Sequence, residues 1–218
     1  MTPIGLIFDM DGVLVDSYAP HLKSWCLLAE EIGTPITETQ FAATFGRTGR
    51  DVIRELFGVE DEAAMGRIDH RKETIYRDLI RDAMPTTPGI VEAVVRLHAA
   101  GFRLAVGSSG PPENVQLVCE ELDLYHYLTK IITGADVQRG KPDPQVFELA
   151  AAGIGVEPAR CVVVEDAPVG IQAAHAAQMR CIALVGTHPA ASLRNADRII
   201  NHADELTPEL IHRIADAS

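Results

Sequence analysis

Short, uniformly apolar runs rich in β-branched residues alternate along this chain with segments of helical periodicity, and this alternation constrains the fold most. Such runs are typical of strands buried on both faces of a parallel sheet. The sequence predicts six strands, over residues 4–8, 102–107, 130–133, 161–164, 181–185 and 198–200. Strands that alternate with helices predict an α/β fold, in which helices cover both faces of an open parallel sheet.

Helix signals mark the segments between most of these strands. One helix precedes Gly101, which we interpret as its C-terminal cap. Asp143 and Pro144 open another, with the acid at the N-cap and the proline at the first helical position. Further helical patterns follow Pro168 and cover about 207–215.

Residues 17–84 interrupt the alternation, because no convincing strand pattern lies between the first strand and the second. Apolar positions at helical spacing predict several helices there, the longest over about 61–83. A connection of this length is unusual in a compact domain and is typical of a lid. We therefore predict a catalytic core of residues 1–16 and 85–218 and a helical cap of residues 17–84.

The charge balance argues against several classes of partner. With 31 acidic residues against 19 Lys and Arg, the 218-residue chain has a formal net charge of −12. Binding to nucleic acids or to anionic membranes depends on clustered Lys and Arg, so we expect neither. We interpret the remaining excess of negative charge as favouring solubility.

Several features lead us to expect a cytoplasmic protein. No apolar run approaches the roughly 20 residues of a membrane span. The chain opens without the basic segment of a signal peptide. Its four cysteines stand far apart, without the paired spacing of zinc or redox sites. The sequence leaves the oligomeric state open.

Polar side chains follow four of the predicted strands at their carboxyl ends, where ligands bind in open α/β sheets. They are Asp9 and Asp11 after the first strand, Ser108 and Ser109 after the second, Lys141 in the loop after the third, and Glu165 with Asp166 after the fourth. Each alone has an ordinary explanation as a turn former, a helix cap or a surface lysine. Together they are less easily explained, because gathered carboxylates repel one another unless a cation lies among them. Oxygen ligands of this kind select Mg²⁺.

The same set predicts a phosphoryl-transfer mechanism. Lysine and serine supply the charge and the hydrogen-bond donors that a phosphoryl group needs, so we assign its oxygens to Ser108, Ser109 and Lys141. Asp9 is the candidate nucleophile, which would form an aspartyl-phosphate. Asp11 lies two residues on and points to the same side of an extended backbone, so it is the candidate general acid and base.

The motifs Asp9-x-Asp11-Gly12, Ser108, Gly140-Lys141-Pro142 and Glu165-Asp166 resemble, in order and spacing, the four motifs of the haloacid dehalogenase superfamily. The resemblance covers nearly the whole chain, and the helical insertion resembles the helical-bundle cap of that family. It implies a Rossmann-like core and a cap that closes over the substrate. It also implies Mg²⁺ held by Asp9, the Asp11 carbonyl and Asp166, with Glu165 in the outer shell.

Within that family, the sequence argues against two branches. Members that dehalogenate haloacids lack the second aspartate, which is present here as Asp11. Members that cleave phosphonates use a lysine near the middle of the cap, whereas residues 44–57 contain arginines and no lysine. Arginine stays protonated and cannot replace that amine.

The cap instead resembles the β-phosphoglucomutase and sugar-phosphatase branch. The cap positions that carry this resemblance are His21, Trp25, Gly46, Arg47, Arg50 and Lys72. The resemblance implies substrate contacts at His21, Gly46, Arg47, Arg50 and Lys72. An indole such as that of Trp25 is more typical of a hydrophobic core than of a ligand site, and His21 alone is as typical of packing as of ligand binding. Arg50 also has a structural alternative, which is an ion pair with Glu55 or Asp51 on a solvated helix face.

We therefore predict a Mg²⁺-dependent phosphatase that acts on a small phosphorylated sugar or related metabolite. A β-phosphoglucomutase is the alternative, but Gly110-Pro111-Pro112 replaces the side-chain donors that the mutase pattern carries after its strand-end serine. A phosphonate hydrolase and a non-catalytic phosphoacceptor module are less favoured. Receiver modules of the latter kind take their phosphoacceptor from a central strand and lack a helical insertion.

Overall fold

A computed structural model of the chain describes residues 2–44 and 49–217. Its strands are β1 (Gly5–Phe8), β2 (Arg103–Gly107), β3 (Leu128–Ile132), β4 (Cys161–Glu165), β5 (Arg180–Leu184) and β6 (Arg198–Ile200). Its helices are α1 (Tyr18–Glu31), α2 (Glu38–Thr44), α3 (Gly49–Phe57), α4 (Glu62–Asp82), α5 (Ile90–Ala99), α6 (Pro112–Glu121), α7 (Gln145–Ile154), α8 (Pro168–Ala176) and α9 (Pro208–Ala215). The chain divides into two compact units, a sheet unit of Met1–Asp16 with Pro85–Ser218 and a helical unit of Ser17–Met84.

The strands of the sheet unit form one parallel sheet in the order β3-β2-β1-β4-β5-β6. β1 lies between β2 and β4, with Phe8 opposite both Val106 and Val164. The predicted strands agree with the observed ones to within two residues at each end. The predicted α/β fold class, a Rossmann-like parallel sheet with a helical insertion after its first strand, is confirmed.

Two helix starts differ from the expectation. α7 begins at Gln145, so Pro144 rather than Asp143 is its N-cap residue. The carbonyl of Pro144 already accepts the first helical hydrogen bonds, while an Asp143 carboxylate oxygen accepts from the Gln145 N–H at 3.1 Å. α6 was not predicted, because Pro111 and Pro112 are as typical of a loop as of a helix start. Pro112 is tolerated at its first turn, where the N–H would have no helical partner.

The central strands of the sheet, β1 and β4, are completely buried, and this burial restricts the positions of charged residues in them. Every residue of β1 and β4 is buried. On one face of the sheet, Ile7 and Val163 pack in one cluster with Phe147 of α7. Burying each such side chain contributes about 1.5–3 kcal/mol to stability. In these two strands the one charged residue, Glu165, is therefore the last residue of β4.

The helical unit has a hydrophobic core of its own. That core is formed by Trp25, Leu28, Phe41, Val52, Ile53, Met65 and Ile75. Trp25 is 4% exposed and therefore belongs to the packing of this unit. In the part of the chain that the structure describes, no helix combines the length and the apolar character needed to cross a membrane.

Candidate active site

Three adjacent strands deliver acidic and hydroxyl groups to one edge of the sheet. Asp9 follows β1, Ser108 follows β2, and β4 ends with Glu165 and continues into Asp166. The strands are parallel and in register, so their carboxyl ends meet. Backbone hydrogen bonds extend this order past the strands, from the Asp9 N–H to the Val164 carbonyl at 2.9 Å.

Lys141 joins two of these strand ends. Its ammonium donates to Asp9 Oδ1 and to Glu165 Oε1, both at 2.7 Å. The lysine side chain is only 8% exposed, and its Nζ lies 4.7 Å from the ring centroid of Phe147 in α7. A desolvated charge that touches two carboxylates is held by electrostatic attraction and by directional hydrogen bonds.

Glu165 is held in place by its backbone surroundings. Its Oε2 accepts from the N–H groups of Asp166 and Ala167 at 2.7 Å each, just before α8 begins. A Cβ at Gly170 of α8 would lie 1.7 Å from Glu165 Oε1, so a glycine is required there. The carboxylate of Glu165 therefore has a fixed position against the first turn of α8.

Asp9, Glu165 and Asp166 together form a group of buried carboxylates. Their potential ligand atoms all lie within 4.8 Å of one another. Gly12, in the turn after β1, has a φ of +79° and approaches this group closely. A Cβ there would lie 1.9 Å from Asp166 Oδ2, so both the conformation and the space require glycine.

Burial and mutual repulsion disturb the ionisation of this group. Burial, opposed by Lys141 and reinforced by the Glu165 and Asp11 carboxylates, raises the pKa of Asp9 to about 7. Burial and the neighbouring carboxylates of Glu165 and Asp9 also raise the pKa of Asp166 well above its usual range. For Lys141, burial favours the neutral amine, but Asp9 and Glu165 outweigh it and raise its pKa.

These observations fit a divalent cation. The three carboxylates exceed the single ammonium beside them, so negative charge remains in excess when all are ionised. Carboxylate oxygens are hard ligands of the type that Mg²⁺ prefers. A cation would relieve the repulsion that adds to burial in raising the pKa values of Asp9 and Asp166.

Ser108 and Asp11 approach one another around Gly110. Ser108 is buried, and its Oγ accepts a hydrogen bond from the Gly110 N–H at 2.9 Å. A Cβ at Gly110 would lie 3.2 Å from that Oγ and 3.8 Å from Asp11 Oδ2. Ser109, by contrast, is exposed. The structure thus brings Ser108 and Asp11 to the edge that holds Asp9.

Two of the predicted cap residues meet inside the helical unit. Lys72 Nζ lies 2.8 Å from His21 Nδ1 and donates to Glu73 Oε1 at 2.8 Å. The His21 ring stacks on that of Tyr76, with centroids 4.0 Å apart. Lys72 Nζ also lies 5.3 Å from the Trp25 ring centroid. His21 and Lys72 are therefore parts of one polar and aromatic cluster.

Of the remaining predicted cap residues, the structure describes Arg50. Arg50, at the start of α3, forms an ion pair with Glu62, and its side chain is 57% exposed. Gly46 and Arg47 lie outside the described residues. Their assignment as substrate contacts stays a prediction.

Thr187 was absent from the predicted site residues. Its hydroxyl hydrogen-bonds to the Asp166 carboxylate. It follows β5, so its place just past a strand end was the available signal. Threonine in a Gly-Thr-His-Pro loop is equally typical of a turn, so the sequence did not distinguish it.

The carboxyl edge of the parallel sheet thus carries three buried carboxylates and one buried lysine side chain. The sequence model of the haloacid dehalogenase-like hydrolase family matches residues 5–178 of this chain. The chain therefore belongs to the haloacid dehalogenase-like hydrolases.

The relatives of this chain include both a phosphatase and a mutase. The chain is 30% identical over 203 residues to validoxylamine A 7'-phosphate phosphatase of Streptomyces hygroscopicus subsp. limoneus, covering 92% of this chain and 94% of that protein. It is 29% identical over 215 residues to β-phosphoglucomutase of Bacillus subtilis, covering 95% and 93%. A crystal structure of a family IA, variant 3 hydrolase from Entamoeba histolytica superposes with a TM-score of 0.92 at 24% identity, over 100% of both chains. The predicted enzyme class, a phosphoric monoester hydrolase, is confirmed.

Proposed function

We propose that the protein is a Mg²⁺-dependent phosphatase that hydrolyses a small phosphorylated sugar or related metabolite through an aspartyl-phosphate. The observation that carries this proposal is the placement of the Asp9 carboxylate 2.7 Å from the buried ammonium of Lys141, within the group of carboxylates formed with Glu165 and Asp166. That placement sets a positive charge beside one carboxylate, which lowers the electrostatic cost of bringing an anionic ester to it.

Asp9, Asp166 and the Asp11 carbonyl would hold the cation, with Glu165 outside its first shell. A bound Mg²⁺ supplies positive charge that offsets the repulsion between a carboxylate and a phosphate ester. Glu165 already accepts two backbone N–H groups and the Lys141 ammonium, which leaves it less free to ligate than Asp9.

Asp9 acts as the nucleophile in the first step. One of its oxygens attacks phosphorus, the ester P–O bond breaks, and the leaving alkoxide takes a proton from Asp11. In the second step Asp11 takes a proton from water, the water oxygen attacks phosphorus, and the bond to Asp9 breaks. Inorganic phosphate leaves, and both aspartates return to their initial state.

Lys141 and the strand-end serines hold the transferring group. The lysine favours the ionised, nucleophilic form of Asp9 against the effect of burial. Its charge also counters the negative charge of the phosphoryl oxygens, to which Ser108 and Ser109 donate hydrogen bonds. We assign discrimination between esters to the helical unit, through His21, Gly46, Arg47, Arg50 and Lys72.

The mutase is the second candidate, which the Bacillus subtilis relative favours. A mutase must retain and rebind a bisphosphate intermediate, which requires donors for the distal phosphate. At the corresponding loop, Pro111 precedes α6 and Pro112 begins it. Proline has no backbone N–H and no polar side chain, so neither residue can donate a hydrogen bond to a distal phosphate. This loop favours release of the intermediate to water.

Product analysis tests the proposal. Wild-type protein with Mg²⁺ is incubated with a panel of sugar phosphates that includes β-glucose 1-phosphate, and phosphorus NMR identifies the products. We expect inorganic phosphate. Glucose 6-phosphate without inorganic phosphate would replace the proposal with the mutase. The phosphoacceptor module would be favoured if the wild type hydrolysed no ester in the panel and the substitution Asp9→Asn changed the binding of the protein to a partner protein.

A further inference from the structure

Thr187 lies where three elements of the sheet unit meet beside the proposed metal ligands. Its hydroxyl hydrogen-bonds to the carboxylate of Asp166, which is 4% exposed. A Cβ at Gly12 would lie 1.9 Å from Asp166 Oδ2 and 2.9 Å from Thr187 Oγ1. The turn after β1, the end of β4 and the loop after β5 therefore converge on one carboxylate.

The loop that carries Thr187 is anchored to the sheet. The Val185 N–H donates to the Ile200 carbonyl of β6 at 2.9 Å, which extends the pairing past the end of β5. Thr187 follows after a single residue, so the position of its backbone is restricted. Threonine is β-branched, so few χ1 rotamers are available to its side chain, and the direction of the hydroxyl is restricted as well.

We propose that Thr187 is a positioning residue, whose hydroxyl orients the Asp166 carboxylate for the cation. This inference rests on the proposed function, which assigns that cation to Asp9, Asp166 and the Asp11 carbonyl. Hydrogen bonds from outside the ligand shell fix the orientation of ligating carboxylates, and their loss commonly weakens metal binding by about 10- to 100-fold. Thr187 has no part in the bond-making steps.

The structure offers matched variants to test this role. Thr187→Val keeps the shape of the side chain and removes the hydroxyl, whereas Thr187→Ser keeps the hydroxyl and removes the methyl group. Thr87 is a control, because it lines the same cleft of about 200 Å³ as Thr187 and Gly12. Thr87→Val therefore makes the same chemical change elsewhere in that cleft.

Calorimetric titration of metal-free protein with Mg²⁺ measures the dissociation constant without any turnover. We expect Thr187→Val to raise that constant about tenfold or more. We expect Thr187→Ser and Thr87→Val to stay within about twofold of the wild type, and the melting temperature in EDTA to change little. If Thr187→Val does not fold, Thr187→Ala, which also lacks the hydroxyl, is compared with Thr187→Ser in its place.

Two results would overturn the inference alone. Mg²⁺ binding by Thr187→Val at wild-type strength would show that the hydroxyl does not orient Asp166. A loss in Thr187→Ser equal to that in Thr187→Val would also overturn it, because the serine keeps the hydroxyl to which the effect is assigned. Absence of Mg²⁺ binding by the wild type would instead overturn the proposed function, and this inference with it.

Discussion

Each unit of the protein buries a lysine, and the two lysines are compensated differently. The side chain of Lys141, 8% exposed, lies between the carboxylates of Asp9 and Glu165, each 2.7 Å away. The side chain of Lys72, 3% exposed, has the carboxylate of its neighbour Glu73 at 2.8 Å, together with an imidazole and two aromatic rings. Both arrangements offset the cost of removing an ammonium from water.

The difference shows that the partners of a buried lysine decide what it can do. Around Lys141, burial and the neighbouring carboxylates raise the pKa of Asp9 to about 7 against the effect of the lysine, and the excess of negative charge suits a further cation. Around Lys72, aromatic faces share the compensation, and such contacts contribute about 0.5–2 kcal/mol each. We therefore expect loss of Lys141 to affect chemistry most and loss of Lys72 to affect folding and substrate affinity.

Asp9→Asn should produce the largest effect, because the amide cannot form the aspartyl-phosphate. We expect kcat to fall by about 10⁴-fold or more, on the scale seen for removal of a covalent nucleophile. Phosphate release under saturating substrate is the measurement, with circular dichroism to establish that the variant is folded. Turnover within tenfold of the wild type would exclude Asp9 as the nucleophile.

Exchange of each lysine for methionine tests the comparison directly. We expect Lys141→Met to lower kcat/KM by about 10²–10³-fold, because a charge that faces the transferring phosphoryl group is lost. Lys72→Met should lower the free energy of unfolding by about 1–3 kcal/mol, because the Glu73 carboxylate loses the Lys72 ammonium, and should raise KM more than it lowers kcat. Steady-state kinetics and urea unfolding measure both variants.

The opposite pattern would contradict the comparison. If Lys72→Met removed turnover while the free energy of unfolding stayed unchanged, the aromatic cluster would belong to the chemistry. If Lys141→Met changed only stability, the lysine would be structural.

The pH dependence of the free energy of unfolding tests the excess of carboxylates around Lys141. In metal-free protein, burial raises the pKa of Asp9 from the 3.8 of a free aspartate side chain to about 7. Between pH 3.8 and about pH 7, Asp9 holds a proton in the folded state that it has lost in the unfolded state, so the free energy of unfolding falls as pH rises. The raised pKa of Asp166 acts in the same direction.

Urea unfolding in EDTA from pH 4 to pH 8 measures this dependence. We expect Asp9→Asn to show a shallower decline than the wild type, because its side chain does not titrate. Mg²⁺ should stabilise the wild type more at pH 8 than at pH 5, since it binds the ionised carboxylates. A metal effect of equal size at both pH values would argue against Asp9 as a ligand.

Exposed arginines of the helical unit should have the smallest effect on stability. Arg50 pairs with Glu62, and both side chains are more than half exposed, so solvent screens the pair. Arg50→Gln should change the free energy of unfolding by less than about 0.5 kcal/mol. Arg71→Gln, which breaks a similarly exposed pair with Glu31, is the matched control.

Only the kinetics should separate these two variants. We expect Arg50→Gln to raise KM for the preferred phosphate ester and Arg71→Gln to leave it unchanged. Equal KM values for both variants would remove Arg50 from the substrate contacts.

The fold was predictable where the sequence signal is local. Buried parallel strands need continuous apolar runs, and the run before Asp9 is sufficient to locate β1. α6 was missed because its prolines predict a loop as readily as a first helical turn, and only its packing decides between them. α2 was likewise not predicted, since its seven residues are too few for a clear periodic pattern.

The grouping of the site residues was predictable for a topological reason. Parallel strands present their carboxyl ends at one edge, so Asp9, Ser108 and Glu165 had to approach one another once the strands were placed. The hydrogen bond of Thr187 and the ion pair of Arg50 depend on loop paths and helix packing. Hydrophobic periodicity carries no information about either.

By itself, the sequence determined the alternation of strands and helices, the helical insertion and the residue types at the strand ends. Only the tertiary structure decided that Lys141 lies between carboxylates 132 and 24 residues away, and that burial raises the pKa of Asp9 to about 7. The physical reason is that local patterns depend on neighbours along the chain. Desolvation and Coulomb interactions depend on distances that exist only after the chain has packed.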